Sequence, residues 1–522
     1  RRYNRPPMSA VDSPHQRPSP TGSVGSGGSH GASSLFSRVR LPRSPAVIAV
    51  LVCVALAALS AAILPTVPSY DPWSWIVWGR EVTDPHMSFI VNGGPSWKPL
   101  PMIFTTIYGL LGGAAPTLWV ITARVGGLLA LWGTWKLTHR LAGGGWLGHF
   151  AGLLAAIGII LTGRLDQAWY YYFLHGTSEA ILVGVTVWAV DRILDGKHGQ
   201  AYLLMVAGGL IRPEWWPFLG LYAIWLGWRH PAFKTPGMRL LLLAGLAVQP
   251  IGWFVPPWIT TGQPFLAATH AADYNGHLGS DVLKSILARG IRDQLLPALI
   301  LAIIAAVITW VRDRNRVILA IAAFIVGWWV VVVGETLDGY PGLERFFLPA
   351  AALTTVLGGV GLAELARLAG GLAGSLRRPV TAGVAVILAA LCIPFSTAQI
   401  SVARTDERTA SQGVHLLDTL GQAVAAVGGK HGVLPCPSSF TAVNHSAQTA
   451  LAWKLGVTLQ RVGTSMRAPG VDFIGPHAAQ IGGPAHVDPR LTHAETLATV
   501  GPWRVVRRTD PRLSATACVG GR

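Results

Sequence analysis

A chain of 522 residues in which 51% are hydrophobic and only 12% charged carries about half the charge of an ordinary soluble domain, where the share is roughly 25%, and this excludes a soluble enzyme. The formal charge of +17 suggests a nucleic-acid partner, but the Lys and Arg residues gather in short clusters between apolar runs. That is the pattern of cytoplasmic loops, so the charge reports topology, and composition predicts a polytopic α-helical membrane protein that binds lipid and no nucleic acid.

Residues 1–43 are rich in Pro, Ser, Gly and Arg, hold seven arginines against one acid, and show no apolar periodicity; a disordered basic cytoplasmic tail is expected. The apolar run 45–64 has the small residues of a signal peptide, yet the long tail before it and the many later runs make it a retained anchor. Next comes Tyr70-Asp71-Pro72-Trp73-Ser74-Trp75-Ile76-Val77-Trp78-Gly79-Arg80-Glu81. Pro72 suits a first helical turn, which puts Asp71 at the N-cap with Ser74, Trp75 and Trp78 following on one face. Such a helix is expected to lie in the interface plane with its indoles at headgroup depth. Two readings stay open: an acid and two indoles placed where a polar acceptor meets a lipid-borne donor, or an N-cap Asp with an ordinary aromatic belt. The run 102–111 falls short of the roughly 20 apolar residues a bilayer core needs, so it is read as a second interfacial helix in the same outer loop.

Spans are then expected over 118–135, 146–161 and 178–190. The halves 201–211 and 215–228 read as a hairpin around Arg212-Pro213-Glu214, and further spans are expected over 240–258, 296–311, 318–334, 346–365 and 380–394. With the first run these make about eleven transmembrane helices in a domain of residues 44–396, in the plasma membrane with the N-terminus cytoplasmic. Residues 397–522 are polar, with Gly and Pro turns, and are expected to form a small extracytoplasmic mixed α/β domain. Cys436 and Cys518 lie there, in an oxidising compartment, and are expected to pair; Cys53 and Cys392 lie in apolar runs.

Charges at the outer rim are costly and carry the functional signal: Asp71, Arg80, Glu81, Asp84, Lys98, Asp166, Glu179, Arg212, Glu214, Glu344 and Arg345. Lys98, between Trp97 and Pro99, is either a phosphate-binding point charge or a snorkelling lysine. Glu179 opens a span, where it can pair with Arg212, bind sugar hydroxyls or only satisfy the helix dipole. Arg212 needs an anion, which Glu214 can supply as a structural pair. Arg345 stands on the outer side against the positive-inside trend, and its planar fork suits a phosphate. His270, Asp273 and His277 have chelating spacing but read as an exposed loop helix, so no metal and no cofactor is expected.

The order of these segments resembles the GT-C glycosyltransferases, polytopic enzymes that use polyprenyl-phosphate sugars. Asp71-Pro-Trp-Ser-Trp-Ile-Val-Trp-Gly-Arg-Glu is similar to the acidic start of that family. Trp97-Lys98-Pro99-Leu100 resembles the opening of its second interfacial helix, Thr122-Ala123-Arg124 the start of its next span, Ser178-Glu179 its acidic position at the fourth span, and Arg345-Phe-Phe-Leu-Pro its arginine element. The whole looks like actinobacterial members and, more distantly, like arabinofuranosyl- and mannosyltransferases of the cell envelope. The resemblance covers roughly residues 45–395; Pro72 replaces the second acid of the usual pair, and the C-terminal part matches no known pattern.

The resemblance implies an inverting transfer of a sugar from a polyprenyl-phosphate donor to a cell-envelope glycan or glycolipid on the outer face. It implies Asp71 as general base, Lys98, Arg212 and Arg345 as donor phosphate ligands, and Trp75, Trp78, Asp84, Glu179 and Glu214 on the sugar or acceptor side. A transporter or flippase of a lipid-linked glycan is the rival class, although no internal repeat supports it; a non-catalytic envelope-binding scaffold is the third.

Overall fold

The computed structural model describes residues 45–91, 94–163, 168–273, 281–476 and 485–510. The basic tail, Asp166, His277 and Cys518 lie outside the described residues. Helices α1 (Pro45–Ile63), α2 (Tyr70–Glu81), α3 (Pro99–Gly109), α4 (Ala115–Leu141), α5 (Gly145–Ile160), α6 (Trp169–Leu174) and α7 (Glu179–Leu194) come first. They are followed by α8 (His198–Gly209), α9 (Trp216–Arg229), α10 (Pro236–Thr261), α11 (Leu266–Asp273), α12 (Val282–Asp293), α13 (Leu296–Ile308), α14 (Arg316–Leu337), α15 (Leu348–Leu372) and α16 (Arg377–Ala390). Among the described residues five helices are long and apolar enough to cross a membrane, or up to seven if each of two bent pairs is one span.

Chain that is apolar on every side becomes buried or lipid-facing helix. α15 shows how its position is chosen. Its Leu348–Ala363 stretch is buried throughout, and it packs against α4, α5, α13 and α14 because its sequence supplies small residues where other backbones pass. A Cβ at Gly361 would stand 2.0 Å from the carbonyl oxygen of Leu301 on α13, so any larger residue would force the two helices apart.

α17 (Ile393–Ala426) follows α16 at a 45° bend and carries the chain into the C-terminal part. This adds α18 (Gly429–Val433), β1 (Phe440–Val443), α19 (Gln448–Leu455), β2 (Val462–Gly463), β3 (Ser465–Met466), β4 (Gly470–Ile474), β5 (His486–Val487), β6 (His493–Val500) and β7 (Trp503–Thr509). The five-stranded sheet has the order β2-β1-β4-β7-β6, with β1 parallel to β2 and β4, and β7 antiparallel to β4 and β6. A strand-containing C-terminal region is therefore present as expected. Cys436 is disulfide-bonded, while its expected partner lies outside the described residues.

Two local expectations about α2 are corrected. The helix begins at Tyr70 with Ser69 as its extended N-cap residue, so Asp71 lies inside the first turn and does not cap it. Nor do the indoles of α2 face outward as an aromatic belt. Trp75 and Trp78 have no exposed surface and belong to an apolar core shared with Leu420, Leu451, Phe473 and Trp503 of the C-terminal part. The helix is covered because α3 packs on one side, so closely that a Cβ at Gly79 would meet the Thr105 backbone at 2.4 Å, and α19 packs on the other.

Candidate active site

Helix ends are where charged side chains can sit at low cost, because the backbone there is already polar and near water. Five such ends converge on one cavity of about 360 Å³. Asp71 comes from the first turn of α2, Lys98 from the residue before α3, and Glu179 from the start of α7. Arg212 and Glu214 come from the break between α8 and α9, and Arg345 from the 3-10 turn Glu344–Phe347 ahead of α15. All six line the cavity, together with Trp75. Pro213 is the reason α8 does not run on into α9, since it cannot supply the N–H that a continuing helix needs.

The deep end is a buried ionic network. Lys98 Nζ donates to Ser178 Oγ at 2.7 Å and to Glu179 Oε1 at 3.2 Å. Arg212 donates from Nη2 to the same Glu179 oxygen and from Nη1 to Glu214 Oε1, both at 3.0 Å. The Lys98 ammonium also lies 5.3 Å from the Trp75 ring centroid, and the Arg212 guanidinium 4.2 Å from that of Phe346. Lys98 is only 4% exposed. Burial, partly opposed by the Glu179 carboxylate, pushes its ammonium down to about 8.

The network is not closed. Arg212 Nε, Arg345 Nε and Glu214 Oε2 are buried without a hydrogen-bond partner among the described residues. Leaving charged groups half-satisfied is costly, and it is the arrangement expected of a wall that meets a polar ligand.

Toward the mouth, Asp71 Oδ1 accepts the Ser96 N–H at 3.1 Å, and Oδ2 faces Arg345 Nη1 at 3.6 Å. The three acids and three bases of the six balance in formal charge. The 3.6 Å contact is the loosest of the set.

Two expected site residues fall elsewhere. Trp78 is walled off behind Phe89 and Trp97, with ring centroids at 4.9 and 6.2 Å, because it points into the core between α2 and the 89–97 segment. Asp84 lies in an exposed turn after α2, where its carboxylate takes the His86 N–H at 2.8 Å. The preceding Glu81 is buried against Arg80 and pushed up to about 7 by loss of water.

Several lining residues were not anticipated. Tyr171, Tyr172 and His175 come from α6 and the turn after it, Tyr340 from the loop after α14, and Leu417, His445, Ser446 and Ala450 from the C-terminal part. Tyr70 joins the two halves of the wall: its hydroxyl donates to Gln448 Oε1 at 2.8 Å and its ring lies 4.1 Å from that of His445. The aromatic run of α6, Trp169-Tyr-Tyr-Tyr-Phe, was the one sequence signal for this side. Of the three residues with chelating spacing, His270 lines the cavity; among the described residues no group of three metal-ligating side chains occurs.

Neither a family sequence model nor a curated protein sequence matches the chain. Its fold does match solved structures. ArnT from Cupriavidus metallidurans bound to undecaprenyl phosphate aligns with a TM-score of 0.52 at 14% identity, over 89% of this chain and 98% of that one. The apo state of the same ArnT gives 0.44 at 16% identity over the same shares. The archaeal oligosaccharyltransferase AglB from Archaeoglobus fulgidus, in complex with an inhibitory peptide and a dolichol-phosphate, gives 0.42 at 12% identity over 80% of this chain and 65% of that one. The likeness to the lipid-bound ArnT shows the architecture: the chain has an ArnT-like, mostly helical fold with a small strand-containing C-terminal region.

Proposed function

We propose that the chain is a membrane glycosyltransferase that moves a sugar from a polyprenyl-phosphate donor to a hydroxyl of a cell-envelope glycan or glycolipid, with inversion at the anomeric carbon. The observation that carries this reading is the meeting in one cavity of Asp71 with the three cations Lys98, Arg212 and Arg345. The ArnT-like fold supports it, and so does the undecaprenyl phosphate bound by that ArnT.

In this reading the acceptor oxygen attacks the anomeric carbon as the bond from that carbon to the phosphate oxygen breaks. The hydroxyl proton passes to Asp71, and the lipid phosphate leaves as an anion. Asp71 is suited to the task because its Oδ1 is fixed by a backbone N–H and its Oδ2 by a soft contact, leaving lone pairs directed into the cavity. Lys98, Arg212 and Arg345 supply positive charge where the negative charge of the leaving phosphate grows, and the burial of Lys98 and Arg212 strengthens it. Trp75, with no exposed surface, backs the Lys98 ammonium at 5.3 Å, and Glu179 and Glu214 hold the cations in place. The positive-inside pattern puts the cavity on the outer face.

The test is turnover of a panel of polyprenyl-phosphate sugars, read as release of free lipid phosphate. Asp71→Asn keeps the size and the Ser96 contact while removing the base. It is expected to lower the rate about 10²- to 10⁴-fold with donor binding intact. A folded Asp71→Asn protein that transfers sugar at the wild-type rate refutes the assignment, and a wild type that releases no lipid phosphate from any donor refutes the function.

A further inference from the structure

His175 stands between α6 and α7 and is 5% exposed, yet it lines the cavity. The sequence gives it no partner and the proposed chemistry does not use it. Its ring Nδ1 lies 3.1 Å from the carbonyl oxygen of Val67. A carbonyl oxygen only accepts, so Nδ1 carries the proton in that bond, and in a neutral ring the other nitrogen is a bare lone pair. The ring is neutral at physiological pH: burial, helped by the nearby Arg124 cation and partly opposed by the Val67 bond, pushes it down to about 4.

Nε2 is buried without a hydrogen-bond partner among the described residues. A buried acceptor left unmade costs about 1–3 kcal/mol, and this one belongs to a side chain more than nine-tenths buried in the wall of a cavity. The backbone fixes its place relative to the reacting centre. Ser69 N–H donates to the His175 carbonyl at 3.2 Å, so His175 is tied by side chain and main chain to Val67 and Ser69, the segment that leads into Asp71. Lys98 is committed to Ser178 and Glu179, and Arg212 to Glu179 and Glu214, and neither donates to Nε2.

We propose that His175 Nε2 accepts a hydrogen bond from a sugar hydroxyl of the substrate, making His175 a specificity-determining residue of the cavity. The inference rests on the glycosyltransferase reading and adds to it a requirement: the recognised sugar presents a hydroxyl to this point, and an analogue lacking that hydroxyl is discriminated against. The hydroxyl belongs either to the transferred sugar or to the acceptor, and the two arms of the test tell these apart.

The decisive variant is His175→Asn. Its amide N–H takes the place of Nδ1 and keeps the Val67 bond, while nothing stands where Nε2 was. The donor arm compares binding of undecaprenyl phosphate with and without a mannosyl or arabinofuranosyl group. The acceptor arm measures octyl mannoside or octyl arabinofuranoside binding to protein loaded with undecaprenyl phosphate.

The expected result is an unchanged Tm, unchanged affinity for bare undecaprenyl phosphate, and a loss of about 10-fold in the contribution of the sugar in one arm, the worth of one buried hydrogen bond. Loss in the donor arm assigns the hydroxyl to the transferred sugar, and loss in the acceptor arm to the acceptor. His175→Gln, which returns an amide oxygen to the neighbourhood of Nε2, is expected to recover part of the loss. If His175→Asn binds the bare lipid phosphate normally and keeps the full sugar contribution in both arms, the proposal is overturned and the function stands. If the wild type binds no undecaprenyl phosphate, the function falls and the proposal with it.

Discussion

Lys98 gives the cavity a pH signature that can be worked out in advance. Its ammonium is buried and pushed down to about 8 from the ordinary lysine value of 10.5, so the empty site holds the proton weakly. An anionic phosphate that binds beside it favours the charged form and raises that value. Donor affinity is then fully present below about pH 8 and is lost as the pH climbs above it.

If the phosphate restores the ordinary value, the gain is on the order of 3 kcal/mol. Affinity should fall by about 10-fold per pH unit above 8, or about 30-fold by pH 9.5. The contribution of Lys98 to the stability of the empty protein runs the other way. With the folded value below the unfolded one, the unfolded chain holds more protons between about pH 8 and 10.5, so this contribution rises with pH there. The sugar-phosphate diester does not titrate in this window, and the Lys98 variants test whether Lys98 is the group responsible.

The assay is a set of Kd values for the donor lipid from pH 7 to 9.5 in wild type, Lys98→Arg and Lys98→Met. Lys98→Arg keeps the charge and should flatten the profile; Lys98→Met should bind more weakly at pH 7 and also be flat. The second variant should fold, because Glu179 retains Arg212 at 3.0 Å. A wild-type Kd that does not move with pH, or a Lys98→Met protein with the same fall as wild type, refutes the reasoning.

Three further outcomes follow from separate contacts. Arg80→Ala removes the 2.7 Å bond to the Val457 carbonyl and the stacking over Trp453 at 4.9 Å and leaves the buried Glu81 without its cation. It should destabilise by about 3 kcal/mol and open the C-terminal part to protease; an unshifted Tm would show that Arg80 does not fasten the two parts. Mass spectrometry of protein from its native envelope should find Cys436 joined to Cys518, a loop whose closure is worth about 4.5 kcal/mol on the chain-entropy model, and free thiols at both positions would count against the pair. In cysteine-accessibility scanning, positions near Gly339 should label from outside and positions near Arg140, Lys234 and Arg314 only from inside; outside labelling of the Lys234 loop would overturn the hairpin topology.

The membrane class, the broken hairpin around Arg212-Pro213-Glu214 and the identity of most cavity cations could be read from the sequence because each depends on local chemistry. A long apolar run has few alternatives to a membrane or core helix. Proline interrupts a helix wherever it falls inside one, and a charge kept at membrane depth must be held by something.

Of the meetings between helix ends only the Glu179–Arg212 pair was among the options the sequence offered; the rest could not be read. Asp71 and Arg345 are 274 positions apart in the chain, and nothing in either segment specifies the other; their 3.6 Å contact exists because small residues let α15 settle among α4, α5 and α13. The surroundings of α2 were misjudged for the same reason. An aromatic helix just outside a membrane run has the composition of an interfacial belt, and only the packing of α19 and the sheet against it turns Trp75 and Trp78 into core. His175 was invisible because its significance lies in a lone pair left over after Val67 has taken the proton side of the ring. Local pattern records the preferences of single segments, whereas a site is made of what those segments leave unsatisfied once they pack, and that remainder exists only in three dimensions.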